Sequence, residues 1–574
     1  MKEVVSLDCT LRDGGYYTNW NFKLEMVQKL VYTLNSARVN IIELGYKSPL
    51  KGGKFRKCND KYIWSLLNNQ LPSYSSLAFM IDAKDFLFNE NLDFKLLDDC
   101  ISHSSESPFS ICRIAIKWNE IKYAKILTEA ITKKGYKVII NLMGISSLDD
   151  NRLKDFITSF TKSKIKPLAF YFADSFGNLL PEKIAYLTNK LKSEIDCEIG
   201  IHAHDNLGLA FANTLVSIEN GATFIDSTIL GMGRGAGNLK TEQLLTFLEF
   251  KGLDYNSDYF QIFNDNFIYD LKENYRWGFS QNYMISGLNS IHPSYNQLLA
   301  SSFLDSQSVS KILHSLKSPE KFDLTDIDSH LVPKVSIVIP ARYKSSRFPG
   351  KPLAKINGKE MVIRVAEIAE KVIDKENIYI ATENHEIVEV SKSYGFKVIL
   401  TSDECLTGTD RVAEASYELD SDIILNIQGD EPMINPSDIK RVIEEKIRNF
   451  NSVINCYAYL DSTEDVNDKK IPKVITSVTN ELIYCSRNPI PGFKSIKTKR
   501  EKKQVCIYAF NKKELQRFNS VQEKTPLEYE EDIEIIRFLE LGIKVKMVEL
   551  SSVSYAVDYE DDIKTVEKLL DNSK

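Results

Sequence analysis

Short apolar runs recur through the first half of the chain, separated by longer stretches with helical periodicity. They are VVSLDC (4–9), NIIELGY (40–46), LAFMID (77–82), CRIAIKW (112–118), KVIINLM (137–143), PLAFYFAD (167–174), EIGIHAH (198–204) and FIDSTILG (224–231). Each is almost continuously hydrophobic. That is the mark of a parallel strand buried on both faces, since a half-exposed strand would alternate. Strands alternating with helices predict βα units. Eight such units in roughly 250 residues predict a (β/α)8 barrel, placed here at 1–255.

The pattern changes over 256–333. This stretch is polar and aromatic, with helices predicted around 266–275, 295–304 and 308–316. It reads as a helical extension that runs into a linker near DSHLVPK. The strand pattern restarts at VSIVIPA (335–341), followed by NIYIAT, KVILT, DIILNIQ, SVINCYAYL, VCIYAF and KVKMVEL. Residues 334–574 are therefore predicted to form a second, open α/β domain of Rossmann-like type. No low-complexity tract or short repeat interrupts either half.

Composition narrows the function classes. A chain of 574 residues exceeds one hydrophobic core, and 43% hydrophobic with 26% charged residues is ordinary for a globular protein. A net charge of −6 argues against a general nucleic-acid surface but allows a local basic pocket for phosphates. No apolar run approaches the ~18 residues of a membrane span. The opening MKEVVSLDCT reads as a strand start and lacks a signal-peptide core, so a cytoplasmic location is expected. Nine cysteines occur without a CxxC pair, several inside apolar runs (Cys112, Cys456, Cys506), and read as reduced core residues.

Candidate chemistry in the first half sits at the C-terminal ends of the predicted strands, where barrel enzymes keep their active sites. Strand one runs into TLRDGG with Arg12 and Asp13. Glu43 ends strand two and Asn141 strand five, while Asp174 and Ser175 end strand six. Strand seven ends in HAHD, with His202 and His204, and strand eight leads into GMGRGAGN, ending at Asn238. His-x-His on a strand puts both imidazoles on one face. With a carboxylate such as Asp13 they make a divalent-metal site with open positions. The glycine loop is not a dinucleotide GxGxxG, because it follows no Rossmann-type first turn.

In the second half, the first strand runs into RYKSSRFPGKPL, carrying Arg342, Lys344, Arg347 and Lys351. A cationic loop directly after a first parallel strand suits a triphosphate, although it is not a Walker A loop. The strand in NIQGDEPMI places Asp430 and Glu431 at the sheet's ligand-binding edge, and SYAVDYEDD adds Asp558. Two aspartates meeting over a triphosphate can hold Mg2+.

The TLRDGG, HAHDN and GAGN segments resemble the DRE-TIM metallolyase superfamily, which includes 4-hydroxy-2-oxovalerate aldolase and 3-hydroxy-3-methylglutaryl-CoA lyase. The resemblance implies that Asp13, His202 and His204 hold a divalent metal (Mn2+, Mg2+ or similar). It implies that Arg12 stabilises an enolate oxygen, that Asn238 lies near the metal, and that Asp174 and Ser175 line the substrate pocket; Glu43 and Asn141 are expected to bind substrate from their strand-end positions. The aldolases carry a histidine shortly after the Arg-Asp pair; this chain reads Gly14, Gly15, Tyr16, Tyr17. Tyr16 is the candidate proton-transfer residue, with Tyr17 as the alternative.

Over about 334–574 the chain resembles 3-deoxy-manno-octulosonate cytidylyltransferases, also called CMP-KDO synthetases. The stretches are IPARYKSSRFPGKPLAKINGK, TGTDRVAEA, NIQGDEPMI, YCSRNPIPG, TPLEYEEDIEIIRFLE and VDYEDDIKTVEKL. The resemblance implies that Arg342, Arg347 and Lys351 bind the triphosphate of CTP. Thr407, Gly408, Thr409 and Arg411 would recognise the cytidine, Asp430 and Asp558 would ligate Mg2+, and Arg487 and Glu534 would face the sugar acid. Gln504 stands where the family usually has histidine, and Ile535 where a sugar-pocket glutamine is expected, so the sugar acid need not be KDO.

Together the halves predict a bifunctional enzyme. It would condense pyruvate with a sugar aldehyde to a 3-deoxy-2-ulosonic acid, then activate that acid with CTP for surface polysaccharide synthesis. The alternatives are a barrel acting as a lyase, as an acyl-CoA-condensing enzyme or as a non-catalytic scaffold. No nucleic-acid partner is expected, and the second resemblance implies a homodimer.

Overall fold

The computed structural model describes all residues except 1–3, 89–90, 264–267, 317–321, 345–347, 461–463, 493–500, 551–554 and 572–574. The chain divides into two compact units, Met1–Ile327 and Asp328–Lys574.

The first unit is a closed parallel barrel. Its strands are β1 (Val5–Asp8), β2 (Ile41–Tyr46), β3 (Ser76–Asp82), β4 (Ile111–Ile116), β5 (Lys137–Leu142), β6 (Ala169–Asp174), β7 (Glu198–Ala203) and β8 (Phe224–Ser227). They follow one another around the barrel in sequence order, and β8 closes it by pairing with β1, Val5 opposite Phe224. All eight predicted strands are present. The eighth is shorter than its apolar run, because Ile229–Gly231 coils into a 3-10 turn.

Period-two geometry sorts the strand residues. One face packs on the surrounding helices. Leu24–Ser36 shows how they reciprocate, burying Met26, Val27, Leu30, Val31 and Leu34 at helical spacing. The other face fills the interior. Leu7, Ile41, Ala78, Ile111, Ile139, Ala169, Tyr171 and Phe224 form a separate apolar plug there. The Tyr171 ring fits because its neighbour is Gly200, where a Cβ would stand 2.6 Å from the ring. Two residues further along the strands the same interior face turns polar: Glu43, Arg113, Asn141, His202 and Asp226. The floor is therefore apolar and the mouth charged.

The extension observed is Tyr259–Phe263, Tyr269–Tyr275, Gln281–Leu288, Pro293–Ala300 and Ser306–Ser315. It belongs to the first unit and is anchored on the loops of the mouth. Trp277 Nε1 donates to the Leu230 carbonyl (3.0 Å), Asn206 Nδ2 to that of Tyr283 (3.0 Å) and Asn178 Nδ2 to that of Gly287 (3.0 Å).

The second unit is a mixed sheet. Its strands are β9 (Val335–Pro340), β10 (Ile378–Thr382), β11 (Lys397–Leu400), β12 (Ile423–Ile427), β13 (Val453–Tyr459), β14 (Lys473–Thr476), β15 (Leu482–Ser486), β16 (Lys502–Phe510) and β17 (Val545–Glu549). The main path is β11-β10-β9-β12-β16-β13-β17, with β14 paired to β15 and β16. Strands β11, β10, β9 and β12 are parallel, and β16 is antiparallel to both its neighbours on that path. Alternation again divides the core: Ile337, Ile339 and Leu425 face one apolar layer, Val338 and Ile424 the other. The connection reverses direction between β9 and β12, which leaves a crevice at their carboxyl ends, the usual ligand position of such sheets. Strands β14 and β15 were not expected from the apolar pattern. Among the described residues no helix is long and apolar enough to cross a membrane, and all nine cysteines are free thiols.

Candidate active sites

The barrel mouth gathers its predicted residues through a continuous set of ion pairs. After β1 the chain turns into a single helical turn, Thr10–Asp13, which points both Arg12 and Asp13 inward. Arg12 Nη1 donates to Asp13 Oδ1 (2.8 Å) and Nε to Glu43 Oε2 (2.9 Å). The same Glu43 oxygen accepts from Arg113 Nη1 (3.0 Å), whose Nη2 donates to Asp226 Oδ2 (2.6 Å). That Asp226 oxygen also accepts from His202 Nδ1 (2.9 Å). His202 Nε2 is thereby turned toward Asp13 Oδ2, at 3.9 Å. The carboxylate fixes the tautomer as well as the ring angle, because Nδ1 must carry the proton.

Asp13, His202 and His204 each offer a ligand atom within 4.8 Å of the others, and the two imidazoles lie 5.1 Å apart. His204 Nδ1 and Asn238 Oδ1 are buried without hydrogen-bond partners. Burial, with the charge of His202 second, pushes His204 down to about 3, so it is a neutral donor. Burial alone would raise Asp13, but Arg12 and then His202 hold it well below the usual carboxylate range. An ionised carboxylate, two imidazoles and unsatisfied donor atoms fit a divalent cation. Asn238 Nδ2 donates to Asp13 Oδ2 (2.5 Å). The glycine loop can lie against this pair only because residue 233 has no side chain: a Cβ there would stand 2.3 Å from Asn238 Nδ2 and 2.7 Å from Asp13 Oδ2.

The other predicted residues of this half are placed as follows. Asn141 is buried with Oδ1 unpartnered. Asp174 accepts from the backbone N–H of Asn178 (3.2 Å) and Leu179 (3.0 Å), shaping the turn after β6; burial pushes it up to about 6 against those bonds. Ser175 accepts from the Gly144 N–H (2.9 Å) and ties neighbouring loops together. Tyr16 meets the Tyr46 hydroxyl at 3.2 Å, and the Arg234 guanidinium lies over its ring, 3.8 Å from the centroid. Tyr17 donates to the Gly235 carbonyl (3.4 Å), and burial pushes its phenol far above the ordinary range. Sequence reading missed Arg113, Asp226, Tyr46 and Arg234. The signal for the first two was a charge inside an apolar strand run.

In the second unit the crevice holds a pocket of about 210 Å³. Among its lining residues are Arg342, Lys351, Thr407, Gly408, Arg411, Gln428 and Asp430. Lys351 Nζ stands 2.6 Å from Asp430 Oδ2 and 3.7 Å from Asp558 Oδ1. The two candidate metal carboxylates are thus brought together, with an ammonium between them. Arg347 lies outside the described residues.

Thr407 caps the helix Gly408–Ala415, exchanging hydrogen bonds with Asp410 in a capping box. Thr409 N–H donates to Glu534 Oε2 (2.9 Å), and Gln428 Nε2 to Glu534 Oε1 (3.2 Å). Burial raises Glu534 above the ordinary carboxyl range. Arg411 pairs with Glu383 (3.0 Å). The fully buried Arg537 grips Asp410 (2.7 Å) and Glu528 (2.6 Å), locking the capped turn. Arg487 spends its guanidinium on the carbonyls of Glu531 (2.6 Å), Asp532 (2.8 Å) and Lys469 (3.0 Å). Gln504 donates to Asn455 Oδ1 (3.0 Å), and Ile535 is fully buried in the core. Gln428 and Arg537 were not anticipated.

The Cytidylyltransferase family model matches residues 336–546, and the HMGL-like model matches residues 101–266. The Escherichia coli 3-deoxy-manno-octulosonate cytidylyltransferase is 33% identical over 225 residues, 39% of this chain and 91% of that protein. The 8-amino-3,8-dideoxy-manno-octulosonate cytidylyltransferase of Shewanella baltica is 37% identical, over 41% of this chain and 98% of that protein. A solved N-terminal domain of a candidate aldolase from Bacteroides vulgatus is 33% identical, covering 51% of this chain and 94% of that domain, at a TM-score of 0.44. The chain belongs to the cytidylyltransferase family through its second unit, fused to a barrel with an HMGL-like segment.

Proposed function

We propose that this cytidylyltransferase with an HMGL-like barrel is a bifunctional enzyme that makes and then activates a 3-deoxy-2-ulosonic acid. The observation that carries the reading is the convergence of Arg12, Asp13, His202, His204 and Asn238 at one barrel mouth. In the barrel, Asp13, His202 and His204 would hold a divalent cation, Mn2+ or Mg2+. When bound, it would polarise the carbonyl of pyruvate so that a methyl proton can leave.

The chain's own residues do the rest. Arg12, held by Asp13 and Glu43, presents positive charge where the enolate oxygen develops. Asp226 keeps His202 in one tautomer. Tyr16, hydrogen-bonded to Tyr46, would exchange a proton with the aldehyde oxygen. The new carbon–carbon bond joins the pyruvate methyl carbon to the aldehyde carbon, giving a 2-oxo acid whose C3 carries no hydroxyl.

In the second unit, Arg342, Lys351 and the capped turn Thr407–Gly408–Thr409 with Arg411 would take CTP, and Asp430 and Asp558 would hold Mg2+. The anomeric hydroxyl of the sugar acid attacks the α-phosphate, an O–P bond forms, and pyrophosphate leaves. Positioning and charge neutralisation account for such a step. Glu534 and Arg487 would border the sugar acid, Arg487 through the loop it braces. Gln504 and Ile535 favour an acid other than KDO. A cytoplasmic homodimer serving surface polysaccharide synthesis fits this chemistry.

The test supplies pyruvate, a panel of aldoses, CTP and Mg2+ or Mn2+, with products read by mass spectrometry. A CMP–sugar-acid mass with at least one aldose is expected. If a ready-made ulosonic acid is activated but no aldose yields product, the barrel reading is wrong.

A further inference from the structure

Three guanidiniums reach the barrel mouth, and the protein neutralises two of them. Arg12 pairs with Asp13 and Glu43, and Arg113 with Glu43 and Asp226. Arg234 enters no ion pair among the described residues, and its Nε is buried without a hydrogen-bond partner. The residue as a whole is half-buried, and an unpaired buried Nε–H is a cost that an occupied site removes.

The loop around Arg234 is fixed. Gly233 abuts the Asp13–Asn238 pair, the Tyr17 hydroxyl donates to Gly235 O (3.4 Å), and Gly237 N–H donates to Arg234 O (3.2 Å). The side chain is stacked over Tyr16. The charges around it are mixed: Asp13, already paired with Arg12, attracts it, while Arg12 repels it. A fixed guanidinium with no ion pair of its own among the described residues, beside a candidate metal centre, suits a substrate oxyanion.

We propose that Arg234 binds the carboxylate of the barrel's 2-oxo-acid substrate. The inference rests on the aldol reading above and adds the residue that selects an acid. A carboxylate is favoured over a phosphate on the aldehyde for a positional reason. Arg234 follows directly on the residue that touches Asp13, so the anion it takes lies beside the triad. The 2-oxo acid must sit there for its carbonyl to be polarised, whereas a terminal sugar phosphate lies several bonds away.

The experiment measures oxamate, a planar isostere of pyruvate, binding to the full chain loaded with Mn2+. Tryptophan fluorescence reports it, since Trp20 donates to Arg12 O and its ring lies 4.8 Å from Tyr16. In Arg234→Met the oxamate Kd should rise about 30-fold or more. Arg234→Lys should recover part of the loss, and Mn2+ affinity and CTP-dependent pyrophosphate release should stay within about twofold. Unchanged oxamate binding in Arg234→Met overturns the proposal. So does an effect confined to a phosphorylated aldose, or a loss of Mn2+ binding in both variants, which would show a merely structural loop. Absence of metal-dependent oxamate binding in the parent protein would instead sink the aldol reading itself.

Discussion

The two candidate sites solve the same problem, concentrating charge at strand ends, in opposite ways. In the barrel the charges are interior side chains of strands or of the turn directly after one. Arg12 and Asp13 are 4% and 2% exposed and Arg113 not at all, each linked to the next by ion pairs. In the second unit the charges sit on loops, with Lys351, Asp430 and Asp558 at 13%, 32% and 39% exposure. The barrel holds its groups in place before any substrate arrives. The second unit leaves Asp430 and Asp558 part-solvated around the Lys351 ammonium. A site that binds a small, weakly charged acid needs rigid preorganised charge; one that binds a polyanion can let the ligand supply the ordering.

This contrast can be broken by substitution, beginning with the largest effect. Asp13→Ala removes a metal-ligand candidate and the partner of Arg12. Pyruvate-dependent condensation should fall about a thousand-fold or more, while CTP-dependent activation of a supplied ulosonic acid holds. Equal loss of both activities would dissolve the division between the units. Arg113→Met strands Glu43 and Asp226 without their shared counter-ion in the barrel interior. Stability should drop by about 3–5 kcal/mol, the usual result of breaking a buried pair. Urea unfolding followed by tryptophan fluorescence reads the first unit alone, because all four tryptophans (20, 64, 118 and 277) lie in it.

Lys351→Met makes the complementary case. Pyrophosphate release should fall about a hundred-fold, the scale of one lost charge-stabilising donor. The thermal transition should hardly move, since the position is part-solvated; a large shift would mean that the second site is as structural as the first.

The smallest effect concerns pH. Asp8 is fully buried, and burial pushes its carboxyl up to about 6 against hydrogen bonds from Thr241 and Thr10. A raised acid contributes stability that is present below the unfolded pKa and lost as pH rises through the folded one. Asp8→Asn should therefore gain on the parent protein between about pH 4 and pH 6, by roughly 2–3 kcal/mol, then run parallel to it. Parallel urea midpoints across the whole range would show that Asp8 does not titrate as its burial requires.

How legible each site was follows from how it is built. The His-x-His pair, the Arg12–Asp13 turn and the glycine loop could be read because each is a local pattern at a strand end. The extension's helices were visible as helices, but their anchoring on the mouth through Trp277, Asn206 and Asn178 was not, since those contacts join residues far apart in sequence. In the second unit the long motifs contained Arg342, Lys351, Thr407, Gly408, Arg411 and Asp430, which the fold brings to one crevice. They did not reveal that Arg487 braces carbonyls, or that Gln428 and Thr409 share Glu534.

The sequence by itself determined the eight-strand succession of the barrel, the restart of the strand pattern after it and the identity of the groups at the strand ends. Those follow from hydrophobic period and from residue type, which are local properties. Only the tertiary structure decided which groups touch. Closure of β8 on β1 carries Asp226 to within reach of His202 and Arg113, and Arg113 to Glu43. Among the described residues the glycine loop leaves Arg234 without an ion pair of its own, while Arg12 and Arg113 are each paired twice. Pairing of buried charges depends on distances set by barrel closure, and no periodicity along the chain encodes it.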